Sequence, residues 1–147
     1  MIKDMNHASF TVSNLDKSIS FYKEILGLKH LDTSTRDSKF SESVTGIKDA
    51  SLKIAYFEAN NCRVELIEYL APIGKKIDTK TCNIGSAHIC FNVENFNKYV
   101  DSLRLNNVVF SGNVSTIPAG PNMGKQVLYF EDLDNNSLEI ISTEIID

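Results

Sequence analysis

Hydrophobic positions follow the same order in the two halves of the chain: an alternating stretch, then a stretch with helical spacing. The apolar positions of the two alternating stretches are Ala8, Phe10, Val12, Ile89, Phe91 and Val93. Apolar residues then recur at helical spacing from Leu15 to Leu26 and from Phe96 to Leu103. Each half is therefore predicted to begin with a strand followed by an amphipathic helix.

Three further strand candidates follow each predicted helix. They span about residues 28–35, 51–58, 62–69, 108–116, 125–131 and 137–142. Turn-forming residues at 60–61 and 132–136 separate the last two candidates in each half, as hairpins require. The pattern of each half is thus βαβββ.

The segments between these elements carry their own signals. Ser13 and Asp16 have the spacing of a capping box at the start of the first helix. Residues 70–86 have the composition of a linker, and residues 36–50 and 117–124 are predicted to be long loops able to cover a cavity. We therefore expect two modules joined by one linker.

A direct repeat supports this division. When His7 is aligned with His88, four further pairs at the same offset are identical, namely Phe10/Phe91, Val12/Val93, Asn14/Asn95 and Lys17/Lys98. The Tyr-Phe-Glu segments that begin at Tyr56 and Tyr129 each precede a strand that contains a glutamate, Glu65 or Glu139. Each half therefore has one histidine near its start and one glutamate near its end, which is typical of a duplicated architecture.

The bulk composition narrows the class of protein. At 147 residues the chain forms one predicted domain, 1–147, with module one at about 1–69, the linker at about 70–86 and module two at about 87–147. A net charge of -4 gives no electrostatic basis for binding nucleic acid or an anionic membrane. The N-terminus lacks the apolar core of a signal peptide, and three cysteines without C-x-x-C spacing indicate no disulfide framework. We expect a cytoplasmic protein whose partner is a small-molecule substrate.

Both repeated histidines lie on the polar face of their strands, opposite the face that packs on the helix. Glu65 and Glu139 lie within otherwise apolar strands, where an unpaired carboxylate would be costly to bury. A single strand histidine is more often structural, and His30, which has no counterpart, is interpreted in that way. Because duplication places His7 and His88 at equivalent positions, a divalent cation shared with the two glutamates is the stronger interpretation.

These residues carry a resemblance to a known family. The chain resembles the vicinal oxygen chelate superfamily, which includes glyoxalase I, methylmalonyl-CoA epimerase, extradiol dioxygenases, fosfomycin-modifying enzymes and bleomycin-binding proteins. The resemblance covers nearly the whole chain through His7, residues 14–22 and 26–28, Val64 to Glu68, Gly85 to His88, and residues 131–134 leading to Leu138-Glu139. It implies an α+β fold of two tandem βαβββ modules that form a cupped mixed sheet around one metal ion.

The resemblance also implies a ligand set and a chemistry. It implies that His7, Glu65, His88 and Glu139 bind one divalent metal ion (Ni, Co, Zn, Mn or Fe) and that Glu65 or Glu139 also acts as base. The implied enzyme is a lyase or isomerase of glyoxalase I or epimerase type that moves a proton next to a metal-bound carbonyl. Members of the superfamily usually form homodimers, and the site is completed either within one chain or between two.

Other members of the superfamily leave alternatives open. Glyoxalase I has an arginine four residues after its first histidine, where this chain has Thr11. Methylmalonyl-CoA epimerases have an additional carboxylate base before the third strand, for which this chain offers Asp49 or, less directly, Glu42. An iron(II) extradiol-type dioxygenase, using two histidines and one carboxylate, is an alternative. A non-catalytic drug-binding protein is another.

Overall fold

A computed structural model describes residues 1–145 and divides the chain into two compact units, one from Met1 to Ile77 and the other beginning at Asp78. The elements of the first unit are β1 (His7–Thr11), α1 (Leu15–Ser20), β2 (Lys29–Arg36), α2 (Ser38–Thr45), β3 (Ser51–Ala59) and β4 (Cys62–Ala71). Those of the second unit are β5 (His88–Val93), α3 (Phe96–Leu105), β6 (Ser115–Thr116), β7 (Lys125–Glu131) and β8 (Ser137–Ile145). The predicted α+β class with two βαβββ modules is confirmed.

The two units have the same sheet topology. The strand order is β1-β4-β3-β2 in the first sheet and β5-β8-β7-β6 in the second. In each sheet the first strand of the unit pairs in parallel with the last, and the remaining pairs are antiparallel. The repeat in the sequence is therefore a repeat in topology.

Each unit packs its own helix against one face of its sheet. In the first unit α1 contacts β3 and β4, and in the second α3 contacts β8. Large fully buried side chains form these two cores, among them Leu15, Tyr22, Phe57, Val64 and Leu66 in the first unit and Phe96, Val100, Leu103, Leu128, Phe130, Leu138 and Ile140 in the second. Along β1 and β5 exposure alternates as predicted, with the two histidines on the open face.

The start and the continuation of α1 follow from neighbouring residues. The predicted Ser13–Asp16 cap is wrong: Asn14 is the N-cap, and its Oδ1 accepts a hydrogen bond from the backbone N–H of Lys17 at 2.9 Å. The helix continues as a π-helical turn, Phe21–Ile25, and the chain leaves it through Gly27 at φ 76°. A glycine is suited to this left-handed conformation because it has no Cβ.

Two other segments differ from the prediction. Residues 36–50 are not one loop, because Asp37 caps the N-terminus of α2 and Gly46, in a left-handed conformation, ends that helix. The predicted strand 108–116 is reduced to β6 and an isolated bridge between Phe110 and Phe130. The remaining strands begin and end within a few residues of their predicted limits. Among the helices of residues 1–145, none has the combined length and apolar character that crossing a bilayer demands.

Candidate metal-binding site

In the first unit, the pairing of β1 with β4 brings the predicted histidine and glutamate together. Ser9 is the register partner of Glu65, and His7 shares the face of Ser9 two residues earlier. The Nε2 atom of His7 lies 3.3 Å from Oε2 of Glu65. The other ring nitrogen, Nδ1, lies 2.9 Å from the amide oxygen of Asn6. That contact assigns the Nδ1 proton to the Asn6 side and leaves Nε2 facing the carboxylate.

The second unit repeats this pair with closer contacts. Cys90 is the register partner of Glu139 across the parallel strands β5 and β8. Nε2 of His88 lies 3.0 Å from Oε2 of Glu139. Cys90 thus lies next to Glu139, whereas Ser9 occupies the equivalent position in the first unit. The two pairs are thus equivalent in backbone position but differ in one neighbouring side chain.

Burial separates the two members of each pair. The side chains of Glu65 and Glu139 are only 8% and 12% exposed, while those of His7 and His88 are 35% and 38% exposed. A carboxylate that is this buried needs hydrogen bonds or a positive partner. Each imidazole therefore presents an open edge next to a buried carboxylate.

A tyrosine from the adjacent antiparallel strand contacts each His–Glu pair. Tyr56 and Tyr129 are the register partners of Glu65 and Glu139. The Tyr56 hydroxyl donates a hydrogen bond to Oε1 of Glu65. The Tyr129 hydroxyl lies 3.2 Å from Nε2 of His88. Both rings meet the histidine of their unit edge to face, with centroid separations of 5.9 Å and 5.1 Å.

These contacts perturb three acidic groups. Burial, with the hydrogen bond to Glu65 and the charge of Glu65, raises the pKa of Tyr56 to about 12. Burial also raises the pKa of Tyr129 to about 12, with contributions from Glu139. The pKa of the Cys90 thiol is raised to about 12 by burial and then by the Glu139 charge. All three groups are therefore protonated at neutral pH.

The structure brings four of the five predicted site residues into two His–Glu pairs. Asp49, the fifth, lies exposed in the turn before β3 at φ 59°, and its backbone N–H donates to Oε2 of Glu42 at 2.9 Å. Within the part of the chain that the structure describes, no group of three or more His, Cys, Asp or Glu side chains has the arrangement of a metal site. The four-ligand set therefore stays a prediction. His30, which we interpret as structural, lies with its Nε2 2.8 Å from Oγ1 of Thr33.

Three contacts of these pairs were not identified from the sequence: those made by Tyr56, Tyr129 and Asn6. The two tyrosines stand at the start of the repeated Tyr-Phe-Glu segment, so the repeat did contain a signal for them. Their role depends on hairpin register, which places them directly opposite the glutamates. Asn6 precedes the first histidine, and Ala87 occupies the equivalent position before the second.

Comparison with curated proteins finds enzymes among the relatives. Metallothiol transferase FosB from Staphylococcus haemolyticus is 31% identical, with 95% of this chain and 84% of the relative covered. The 2-epi-5-epi-valiolone epimerase from an Actinomyces species is 25% identical, with 94% of this chain and 78% of the relative covered. The chain is thus similar to enzymes with different reactions.

Comparison with solved structures supports the fold. The fosfomycin resistance protein FosX from Listeria monocytogenes, solved with Mn(II) and sulfate, superposes with a TM-score of 0.65 at 20% identity, covering 99% of this chain and 96% of that one. The model of the Glyoxalase/Bleomycin resistance protein/Dioxygenase superfamily matches residues 4–140. This match spans both modules and confirms the resemblance to the vicinal oxygen chelate superfamily. The chain belongs to the Glyoxalase/Bleomycin resistance protein/Dioxygenase superfamily.

Proposed function

We propose that this protein is a divalent-metal-dependent lyase or isomerase that moves a proton next to a carbonyl of a small substrate. In the proposal, residues 1–147 act as one domain in which His7, Glu65, His88 and Glu139 bind a single metal ion. The observation that carries it is the duplicated pair, an open imidazole facing a buried carboxylate at 3.3 Å and 3.0 Å. Chance alone would not be expected to place an imidazole and a carboxylate in contact at both equivalent positions.

The donor chemistry of each pair fits a borderline divalent cation. Imidazole nitrogen and carboxylate oxygen are ordinary ligands of such metals. With the Nδ1 proton of His7 directed at Asn6, Nε2 carries either a lone pair or a second proton toward Glu65. A cation stabilises two electron-rich atoms facing each other, and a hydrogen bond to the second ring nitrogen is common for a metal-binding histidine.

The proposed roles divide between the metal and the chain. A bound divalent ion would act as a Lewis acid on a substrate carbonyl and make the neighbouring C–H more acidic. Glu65 or Glu139 would accept the proton from one face of that carbon and return it to a neighbouring atom or to the opposite face. Asp49 is retained as a further candidate base outside the ligand set.

Metal identity and assembly complete the proposal. FosX contains Mn(II) in its solved structure, and nickel, cobalt, zinc and iron(II) also suit two nitrogen and two oxygen ligands. We expect a homodimer, with the four ligands supplied by one chain or by two. Mixing a His7→Ala chain with a Glu139→Ala chain separates these arrangements, because only ligands shared between chains allow the mixture to regain an intact site.

The direct test is proton exchange in deuterated water. Metal-loaded protein is incubated with a methylglyoxal hemithioacetal or a 2-methyl-branched acyl-thioester, and the α-proton signal is followed by NMR. Loss of that signal is expected with at least one metal, and His7→Ala and Glu139→Ala should each reduce the rate at least 100-fold, about 3 kcal/mol of barrier. His30→Ala is the matched control and should retain the rate. The proposal fails if no substrate of either class exchanges with any of the five metals.

A second candidate, metal-dependent thiol transfer, is favoured by one observation. The metallothiol transferase FosB is 31% identical over most of both chains, whereas the epimerase is 25% identical. The proposed metal ligands would be the same, but a thiol would be the nucleophile. Consumption of thiol in the presence of fosfomycin and Mn²⁺, with no α-proton exchange on the carbonyl substrates, would favour this reaction over the first.

A further inference from the structure

Each candidate His–Glu pair is contacted from the adjacent strand by a phenol hydroxyl. Tyr56 lies opposite Glu65 in the β3–β4 hairpin, and Tyr129 lies opposite Glu139 in the β7–β8 hairpin. The backbone positions are equivalent, and so are the edge-to-face contacts with His7 and His88. The duplicated unit is therefore a group of three side chains, a histidine, a glutamate and a tyrosine.

In the first unit the two oxygens of Glu65 have different partners. Oε1 accepts the Tyr56 hydrogen bond, while Oε2 faces Nε2 of His7 at 3.3 Å. A carboxylate can rotate about its last bond, and a fixed donor on one oxygen opposes that rotation. The phenol thus keeps one defined oxygen directed at the imidazole.

In the second unit the phenol hydroxyl has a different partner. Oε2 of Glu139 lies 3.0 Å from Nε2 of His88. The Tyr129 hydroxyl lies 3.2 Å from that nitrogen. The phenol of this unit therefore contacts the imidazole of the pair, whereas the Tyr56 hydroxyl bonds to the carboxylate.

We propose that Tyr56 and Tyr129 are positioning residues that orient the two His–Glu pairs for metal binding. This inference rests on the proposed function, because it takes the members of the pairs as ligands. The Tyr56 hydroxyl holds Glu65 so that Oε2 stays beside Nε2 of His7, and Tyr129 holds the imidazole of His88 beside Glu139 through its ring and its hydroxyl. Of the two, Tyr56 has the larger effect, because its hydroxyl bonds directly to the carboxylate, whereas that of Tyr129 contacts the imidazole.

Cobalt(II) titration tests the inference independently of catalysis. Full-length wild type, Tyr56→Phe and Tyr129→Phe proteins are titrated with Co²⁺, and the dissociation constant and the visible absorption spectrum are recorded for each. Loss of a hydrogen bond to a ligand typically weakens metal binding by about 10–100-fold. We expect a decrease in affinity of about tenfold or more for Tyr56→Phe, a smaller one for Tyr129→Phe, and a changed spectrum in both. Tyr99→Phe, on α3, is the matched control and should match wild type.

The outcomes separate this inference from the proposed function. If wild type binds no Co²⁺, the proposed function fails. If wild type binds and both site variants match it in affinity and spectrum, the positioning role alone is overturned. Thermal unfolding of the metal-free proteins provides the second measurement. A lower affinity that comes with an unchanged spectrum and an equal loss of thermal stability overturns the positioning role, since the effect then lies in folding.

Discussion

Replacement of Asp132 by alanine tests how the loop between β7 and β8 holds the second His–Glu pair. Asp132 is buried, and the hydrogen bonds that its carboxylate accepts include those from the backbone N–H of Asp134 at 2.9 Å, from the backbone N–H of Asn136 at 2.8 Å and from Nδ2 of Asn136 at 2.9 Å. The loop fixes the register in which Tyr129 opposes Glu139. The carboxylate therefore supports both the hairpin and the site.

The expected cost in unfolding free energy follows from these hydrogen bonds. A hydrogen bond to a charged group contributes about 1.5–3 kcal/mol, but half-buried donors such as those of Asp134 and Asn136 regain part of it from water. We therefore expect Asp132→Ala to lower the free energy of unfolding by about 3 kcal/mol. For a domain of this size that corresponds to a decrease in Tm of roughly 6–12 °C. Asp132→Asn keeps one acceptor oxygen and should cost about half as much.

Urea unfolding followed by circular dichroism measures the effect. Asp101→Ala is the matched control, because this exposed carboxylate forms a surface ion pair with Arg104 at 2.9 Å. Such a pair contributes about 0.5 kcal/mol or less. The reasoning is refuted if Asp132→Ala and Asp101→Ala cost the same, or if the asparagine variant is less stable than the alanine variant.

Three further substitutions have defined outcomes. Burial raises the pKa of Tyr99 from 10.0 to about 12, so the contribution of its neutral hydroxyl to stability is present below pH 10 and is lost as the pH rises through 12. Between these pH values the unfolding free energy measured in urea should therefore decrease by about 1.4 kcal/mol less per pH unit for Tyr99→Phe than for wild type. Asn14→Ala removes the cap of α1 and should cost about 1 kcal/mol in the same assay, whereas Asn14→Ser should cost much less. At Gly124 φ is 85°, and a Cβ would lie 3.1 Å from Cγ2 of Ile145. Gly124→Ala should therefore lower the Tm by several degrees, which corresponds to about 1–2 kcal/mol of unfolding free energy. An unchanged Tm would contradict the argument from strain.

Much of the fold could be predicted because two independent patterns agree. The alternation along β1 and β5 specifies which face packs on the helix, and the repeat shows that both modules have the same order of elements. The same alternation placed His7 and His88 on the open face, where the structure has them. Periodicity and duplication together are thus enough to predict the sheet topology and the strand face on which each histidine lies.

Other features of the fold cannot be predicted from hydrophobic periodicity. Ser13 and Asn14 are adjacent cap candidates, and only the backbone conformation selects Asn14. The signals for α2 are present, with Asp37 before it and Gly46 after it. Its apolar side chains Phe40 and Val44 are exposed, however, so the segment lacks the buried stripe by which a helix is recognised.

The residues around the glutamates show a further limit. The separation from Tyr56 to Glu65 is one residue shorter than that from Tyr129 to Glu139, although both are direct partners across a hairpin. Turn length decides that register, and turn length is not encoded in strand alternation. A hydroxyl contact is therefore predictable from the sequence only after the turn conformation is known.

The parallel pairing of first and last strands also has a consequence for how each module is made. His7 and Glu65 are 58 residues apart in sequence, and His88 and Glu139 are 51 apart. Closing a loop of that size carries an entropic cost that local hairpins avoid, and contacts of such long range slow folding. During synthesis the β3–β4 hairpin can form as soon as Ala71 has left the ribosome. Strand β1 is made first but has no partner strand until β4 has been made. In each module, the candidate ligand pair is thus among the last contacts that the growing chain can form.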